Sequence, residues 1–315
     1  MNHELAIVII SFNTRELTLA CLRSIFEQTA PGSFRVVVYD NASSDGSADA
    51  IAAEFGRRVD LTRSDVNHGF AKANNLVVAT LGEEWVLLLN PDTLIYDRAI
   101  DRLLEFAKST PRYAIFGGRT VFPDGSLNIA SCWGRITPWS LFCRASGLAA
   151  ALHTSEIFNP EGMGAWKRDS VREVDIVVGC FLLIRREHWN ALGGFDASFW
   201  MYGEEADLCL RARRLGLRAV IQPQATIMHL VGASFGNRAD KMMLVAKAKS
   251  TLVRRHWSVP ARWWGLLMLW LWAFGRRTIT GLLGVLGVPG FDRRAAVWRE
   301  IWGRRRDWLA GYPHG

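Results

Sequence analysis

The first hundred residues switch repeatedly between two hydrophobic periods, and that alternation limits what the chain can fold into. Leu5–Ile10 is a continuous apolar run rich in β-branched residues, the pattern of a strand buried on both faces. Leu17, Cys21, Leu22, Ile25 and Phe26 follow at helical spacing. Asn13 with Glu16 three residues later resembles a capping box that would start this helix. Arg35–Tyr39 reads as a second strand, stopped by the turn-rich stretch from Asp40 to Ser47. A helix is predicted over about 47–55, a short strand over about 58–62, a helix over about 69–80 and a fourth strand over Trp85–Leu89. Such alternation predicts an α/β fold, a mostly parallel sheet with helices on both faces. Ligands of these sheets bind beyond the carboxyl ends of the strands. Here those ends carry Ser11 and Asn13, Asp40, and Asn90-Pro91-Asp92.

Beyond this region the pattern loosens. Residues 124–172 read as an elaborated insertion facing a substrate. Val174–Ile184 has a strand pattern, Gly203–Gly216 a helical one, and Arg218–Ile221 and Ala225–His229 are again strand-like.

Charge divides the chain. The net charge is +8, yet residues 251–315 hold 11 Arg against 3 acidic residues, together with 8 of the 14 Trp. Residues 1–250 are therefore balanced and read as the body, with a nucleotide-binding half at 1–122 and an acceptor and catalytic half at 123–250. Residues 251–315 read as a helical, basic, Trp-rich tail. Within it Trp263–Gly275 and Thr278–Phe291 carry no charge and are separated by Arg276-Arg277. A spanning helix needs about 20 apolar residues, and each central Arg would cost about 2.5–3.5 kcal/mol. Neither segment predicts a transmembrane helix. The composition predicts shallow insertion into an anionic membrane surface, with Arg254, Arg255, Arg262, Arg276 and Arg277 at the headgroups. The competing reading is a helical hairpin packed on the body or on a second copy of the chain. A basic patch alone is weak evidence for nucleic acid, and no nucleic-acid partner is expected. The five cysteines form no C-x-x-C pair and predict reduced thiols rather than a zinc site or disulfides. Leu5–Ile10 is shorter than a signal-peptide core, so a cytosolic setting is expected.

Several polar positions could carry chemistry. Asp40 is either a ligand or a turn residue holding its own backbone. Asp92 follows an apolar strand, where a carboxylate can reach a divalent metal bound by substrate phosphates or cap the next helix. Glu204, Glu205 and Asp207 lie within four residues behind an aromatic cluster, more acid than a helix start needs. A helix N-terminus favours the ionised carboxylate that a general base requires. His229, between Met228 and Leu230, is by position alone a core residue more readily than a ligand. No G-x-G-x-x-G follows the first strand and no G-x-x-x-x-G-K occurs, which counts against dinucleotide oxidoreductases and P-loop kinases.

Seven segments in order, IVIISFNTRELTLACLRSI, VVVYDNASSDGS, NHGFAKANN, WVLLLNPDT, VDIVVGCFLLIRR, GGFDASFWMYGEEADLCLRARRLG and IMHLVGAS, resemble the inverting family 2 glycosyltransferases of GT-A fold, especially the rhamnosyltransferase-like branch. The resemblance covers about residues 5–240. It implies that Asp40 contacts the nucleotide base, with Ser11 and Asn13 beside it, and that the segment from Asn67 through Gly69 to Asn74 closes over nucleotide and sugar. Asn90-Pro91-Asp92 stands where the family has its D-x-D metal motif, with Asn for the first Asp, leaving Asp92 as the main carboxylate for Mg²⁺ or Mn²⁺. His229 falls where some relatives supply a second metal ligand. Glu205 takes the place of the catalytic base, usually an Asp, and Glu204 is the alternative. The implied reaction is a single inverting displacement that moves one sugar, dTDP-rhamnose being the leading donor. The implied acceptor is a hydroxyl of a lipid-linked or envelope glycan at the cytoplasmic face of the inner membrane. A polyprenyl-phosphate sugar synthase and a catalytically inert membrane-recruited scaffold are the alternatives.

Overall fold

The computed structural model describes residues 3–230 and 238–313. In chain order its first part runs β1 (Leu5–Ser11), α1 (Arg15–Gln28), β2 (Phe34–Asn41), α2 (Ser47–Phe55), β3 (Asp60–Ser64), α3 (Gly69–Val78), β4 (Trp85–Leu89), β5 (Thr93–Ile95), α4 (Ala99–Ser109) and β6 (Ile115–Val121). Short pieces follow: β7 (Leu127–Asn128), β8 (Cys132–Trp133), α5 (Pro138–Ser146), α6 (Leu148–Ala151), β9 (Arg172–Val174) and β10 (Ile176–Val177). The chain continues through β11 (Phe181–Arg185), α7 (Arg186–Leu192), α8 (Glu204–Arg214) and β12 (Ala219–His229), and ends in α9 (Arg238–His256), α10 (Val259–Val285), α11 (Phe291–Gly303) and α12 (Arg305–Ala310). It divides into two compact units. The first comprises Met1–Trp133, Trp166–Trp200 and Glu204–Ser234, and the second Gly134–Ala165, Met201–Gly203 and Phe235–Gly315.

The first unit is built on a mixed sheet of order β3-β2-β1-β4-β11-β6-β12-β5. Its first four strands are parallel, in keeping with the strand–helix alternation. Beyond β4 the pairing turns mainly antiparallel, because β11 runs against both β4 and β6. All seven residues of β1 are buried, since β2 and β4 flank it and helices cover both faces. Leu5, Ile7 and Ile9 join Leu19, Leu22 and Ile25 of α1 in one core, which also takes Ile51 and Phe55 of α2 and Leu103 of α4. From the other side α3 packs on β1 and β2. The strand-like stretches expected at 218–221 and 225–229 form one strand, β12, whose register with β6 shifts between Gln222 and Thr226. Gly118 permits that irregularity: a Cβ there would stand 2.0 Å from the Ala225 carbonyl oxygen.

Two local expectations are corrected. Helix α1 starts at Arg15, not at an Asn13 capping box. The Arg15 N–H donates to Asp45 at 2.9 Å, so a carboxylate from the loop after β2 serves the helix end. Asn13 instead adopts a left-handed backbone and accepts from the Ser44 N–H at 2.8 Å. In the tail, Arg276 and Arg277 do not separate two apolar pieces; both lie exposed within the single helix α10.

The second unit joins part of the 124–172 insertion to the C-terminal helices. Residue 250, where charge divides the sequence, lies inside α9. Its core takes Leu141 of α5, Met243 and Val253 of α9, Leu269 and Trp272 of α10, Ile301 of α11 and Trp308 of α12. The tail tryptophans are partly explained by it, for Trp272 packs edge-on against Trp298 at 5.0 Å and Trp270 against Trp302 at 5.1 Å. No helix among the described residues is long and apolar enough to cross a membrane. All five cysteines are buried and free.

A buried charge cluster ties the insertion to α9. Glu161 accepts from Lys249 at 2.7 Å, from Arg144 at 2.7 Å and from Ser140 at 2.9 Å. Burial alone would raise its pKa, but the two cations and the hydroxyl hold it at about 2. A depressed carboxylate pKa stabilises the fold fully above its ordinary value of 4.5, and the contribution is lost as pH falls toward 2. Glu161→Ala leaves Lys249 and Arg144 uncompensated and should cost about 3–5 kcal/mol, read by denaturant unfolding at neutral pH. The gap between variant and wild type should shrink as the pH is lowered below 4.5.

Candidate active site

Strand direction decides which side chains share an edge. β1, β2 and β4 are parallel to one another, and two antiparallel steps through β11 make β6 and β12 parallel to them as well. The carboxyl ends of β1, β2, β4 and β12 therefore lie on one side of the sheet, where Ser11, Asp40, Asn90, Asp92 and His229 stand.

At the β1 and β2 ends, Ser11 is opposite Asp40 in register. Ser11 is fully buried, its hydroxyl engaged with Thr14 at 3.2 Å and Thr18 at 3.1 Å. Two consecutive strand ends place a non-glycine residue at positive φ, Asn13 at 51° and Ala42 at 67°, a costly conformation that persists where surroundings impose it. Here the Asn13 N–H donates to Ser43 at 2.9 Å. Asp40 accepts from the Ser43 N–H with one oxygen at 3.1 Å; its other oxygen, Oδ1, is buried with no hydrogen-bond partner among the described residues. A buried acceptor in that state suits a donor N–H on a ligand.

The loop entering α3 is fixed by Asn41. Its amide donates to Asn67 at 3.0 Å and to the Gly69 carbonyl at 3.3 Å, while its Oδ1 accepts from the His68 N–H at 2.8 Å. Asn67 accepts in turn from the Gly69 N–H at 2.8 Å. Gly69 has φ 72°, and a Cβ on it would meet the Trp200 carbonyl oxygen at 2.6 Å and the indole at 3.0 Å. The Phe70 N–H donates to that same Trp200 carbonyl at 3.0 Å. Thus the segment just before α8 is tied to the start of α3. Asn74 does not join this network: it is buried within α3 and donates to the Phe70 carbonyl at 2.9 Å.

At the β4 end, the Asn90 N–H donates to the Cys180 carbonyl at 3.1 Å, which fixes the backbone leading to Asp92. Thr93 pairs with His229 across β5 and β12, and the Leu230 N–H donates to the Asp92 carbonyl at 2.9 Å. These contacts bring His229 Nε2 within 3.2 Å of Asp92 Oδ1, both residues nearly buried. Burial disfavours the imidazolium, but Cys180 and Asp92 face the ring and raise the His229 pKa to about 10. Its Nδ1 is buried without a hydrogen-bond partner among the described residues. The Asp92 carboxylate suits Mn²⁺ or Mg²⁺, and the imidazole could join it as a ligand only once the ring has given up its extra proton. No group of three His, Cys, Asp or Glu side chains among the described residues could hold a metal, so an ion here would fill its remaining positions with other oxygens.

Glu204, Glu205 and Asp207 occupy the first turn of α8. They differ in surroundings. Asp207 accepts from Arg211 at 2.7 Å, and Arg211 also donates to the Gly194 carbonyl at 2.8 Å and to that of Leu192, so this acid is engaged in packing the helix. Glu204 is buried and Glu205 partly buried, and each has its Oε2 enclosed. Neither Asn41 nor Cys180 is nominated by the sequence alone, and Trp200 enters only as part of the aromatic cluster before Glu204. An Asn directly after Asp40 at a strand end was a usable signal, whereas a Cys in an apolar strand reads as core.

Against known proteins, the family described as "Glycosyltransferase like family 2" matches residues 3–243. The chain belongs to this family. It is 33% identical over 249 residues to an N-acetylglucosaminyl-diphospho-decaprenol L-rhamnosyltransferase of Mycobacterium tuberculosis, covering 72% of this chain and 78% of that one. It is 29% identical over 171 residues to the rhamnosyltransferase WbbL of Escherichia coli, covering 51% of this chain and 61% of the other. Among solved structures it resembles the mannosyltransferase PcManGT of Pyrobaculum calidifontis in complex with GDP-Man and Mn²⁺, with TM-score 0.58, 16% identity, and 98% and 88% of the two chains covered. The fold is GT-A, and the protein is a nucleotide-sugar glycosyltransferase. Within the last of its seven matching segments, Val231–Ser234 lie outside the described residues. Gly69→Ala should cost about 1–3 kcal/mol through its positive φ alone, measured by chemical denaturation. Loss of the Trp200 contact should appear as a change in indole fluorescence.

Proposed function

We propose that this glycosyltransferase moves a single deoxysugar, dTDP-rhamnose being the leading donor, onto a hydroxyl of a lipid-linked envelope glycan with inversion at the anomeric carbon. The observation that carries the reading is the shared carboxyl edge of the sheet, with an Asp40 oxygen that has no partner among the described residues at one place and the Asp92–His229 pair at another. Similarity to the mycobacterial and E. coli rhamnosyltransferases supports the sugar class. The mycobacterial relative's name makes a polyprenyl-diphosphate-linked N-acetylglucosamine the first acceptor to assay.

In this reading Asp40 accepts from an N–H of the nucleobase, with Ser11 and Asn13 shaping the loop beside it. Asn67 and Gly69 cover the nucleotide and sugar, Asn74 supports their helix from within, and Asn90 sets the backbone before Asp92. A divalent cation, Mg²⁺ or Mn²⁺, held by Asp92 and His229, would offset charge on the leaving diphosphate. PcManGT was solved with Mn²⁺, which supports that choice. Glu205 accepts the proton of the acceptor hydroxyl as its oxygen attacks the anomeric carbon from the face opposite the diphosphate. Glu204 is the alternative base; the family resemblance favours Glu205, and Glu204 is the more buried of the two residues. The place of action is the cytoplasmic face of the inner membrane, reached through residues 251–315.

Two experiments test this reading. Glu205→Gln should retain donor binding by thermal shift yet lose at least about 100-fold in kcat, the usual worth of a general base, while Glu204→Gln loses less. Near-wild-type turnover of Glu205→Gln would remove the assignment. Chelation should abolish transfer, excess Mg²⁺ or Mn²⁺ should restore it in the wild type, and Asp92→Ala should not be rescued; full activity in excess EDTA would refute the metal role.

A further inference from the structure

The helix α10 is unusual in what it leaves outside. A helix packed on one side of a core ordinarily turns charged and polar residues outward. One side of α10 does pack inward, through Leu266, Leu269, Trp272 and Ala273. On the other side Trp263, Leu267, Leu271, Leu282 and Val285 recur at intervals of four, eleven and three residues, all exposed, Trp263 by 68% and Val285 by 88%. At 100° per residue they fall within an arc of roughly 100°. The helix has no acid, and its only charges, Arg262, Arg276 and Arg277, point outside that arc.

A bare apolar face could meet a bilayer or a second copy of the chain, and charge separates the two. Residues 235–315 hold fifteen Lys and Arg against four Asp and Glu. Among the described residues, the exposed Arg276, Arg277, Arg293, Arg294, Arg299 and Arg306 form no ion pair. A second copy would bring the same excess of cations against this one. An anionic lipid surface neutralises them, each contact adding attraction near the headgroups while the apolar face enters the acyl boundary.

We propose that the outer face of α10 is a bilayer-docking face that lies in the membrane plane and takes anionic lipid. The inference rests on the reading that the acceptor is lipid-linked, and it deepens that reading by naming the face that docks. The test uses the full chain and flotation on phosphatidylcholine vesicles with or without phosphatidylglycerol, with quenching of tryptophan fluorescence by brominated lipid as a second readout. Wild type should float only with the anionic vesicles and be quenched there. Leu267→Glu/Leu271→Glu changes two exposed residues and should retain its unfolding midpoint and its transfer to a soluble acceptor analogue, yet lose at least about tenfold in vesicle partitioning. Arg276→Glu/Arg277→Glu should lose the preference for anionic lipid. Equal partitioning of wild type and the leucine variant overturns the proposal. So does a wild-type dimer that the leucine variant dissolves while neither floats. If wild type floats as expected but transfers no sugar to a polyprenyl-diphosphate acceptor, the acceptor reading fails and the docking face stands.

Discussion

The antiparallel pairing of β5 with β12 is the contact on which the candidate site depends. It sets Thr93 opposite His229 and so places an imidazole from one end of the first unit against Asp92 from the middle of it. Either residue alone would be an ordinary strand-end polar group. Together, nearly buried and 3.2 Å apart, they form a polar pair that a hydrophobic core does not need. The close approach of Ala225 to Gly118 keeps β12 seated on β6 through its irregular stretch, so a glycine far from the site helps to hold His229 in place.

How much of this was legible in the sequence followed from the range of each interaction. The continuous apolar run of β1 and the helical spacing of α1 are local patterns, and both elements formed where those patterns lie. The four parallel strands follow from alternation. The antiparallel half does not, because β11 inserts between β4 and β6 from far along the chain and no local period encodes that choice. The helix start failed for the same reason. Asn13 and Glu16 have the spacing of a capping box, but Asp45 arrives from the next loop and takes the N-terminal N–H instead.

The carboxylates show a similar division. Asp40 and Asp92 could be nominated because they end apolar strands, and Glu204, Glu205 and Asp207 because three acids crowd one helix start. Local sequence could not rank the three. The Arg211 contact engages Asp207, which leaves Glu204 and Glu205, each with its Oε2 enclosed, as the two candidates. Asn41 carries as many loop-fixing hydrogen bonds as any of the nominated residues, yet its partners, Asn67, His68 and Gly69, lie on another loop. A side chain whose work is to join two loops leaves little trace in either.

The second unit gives the basic tail a physical account that composition alone could not. Its tryptophans are of two kinds. Trp272, Trp298, Trp302 and Trp308 pack in or against a core built with α5 and α9, so they would be required in a protein that never met a membrane. Trp264 is partly engaged, its indole N–H donating to the Pro138 carbonyl at 3.4 Å, whereas Trp263 is exposed by 68% and has no such use. The cations divide in the same way: Lys249 is buried against Glu161 and serves the fold, whereas Arg276 and Arg277 stand on the surface of an otherwise uncharged stretch of helix. Residues that the fold accounts for cannot also be evidence for a partner. What remains after they are set aside is an apolar helix face with arginines in the same unit that form no ion pair among the described residues, a smaller signal than the tail as a whole and a more specific one.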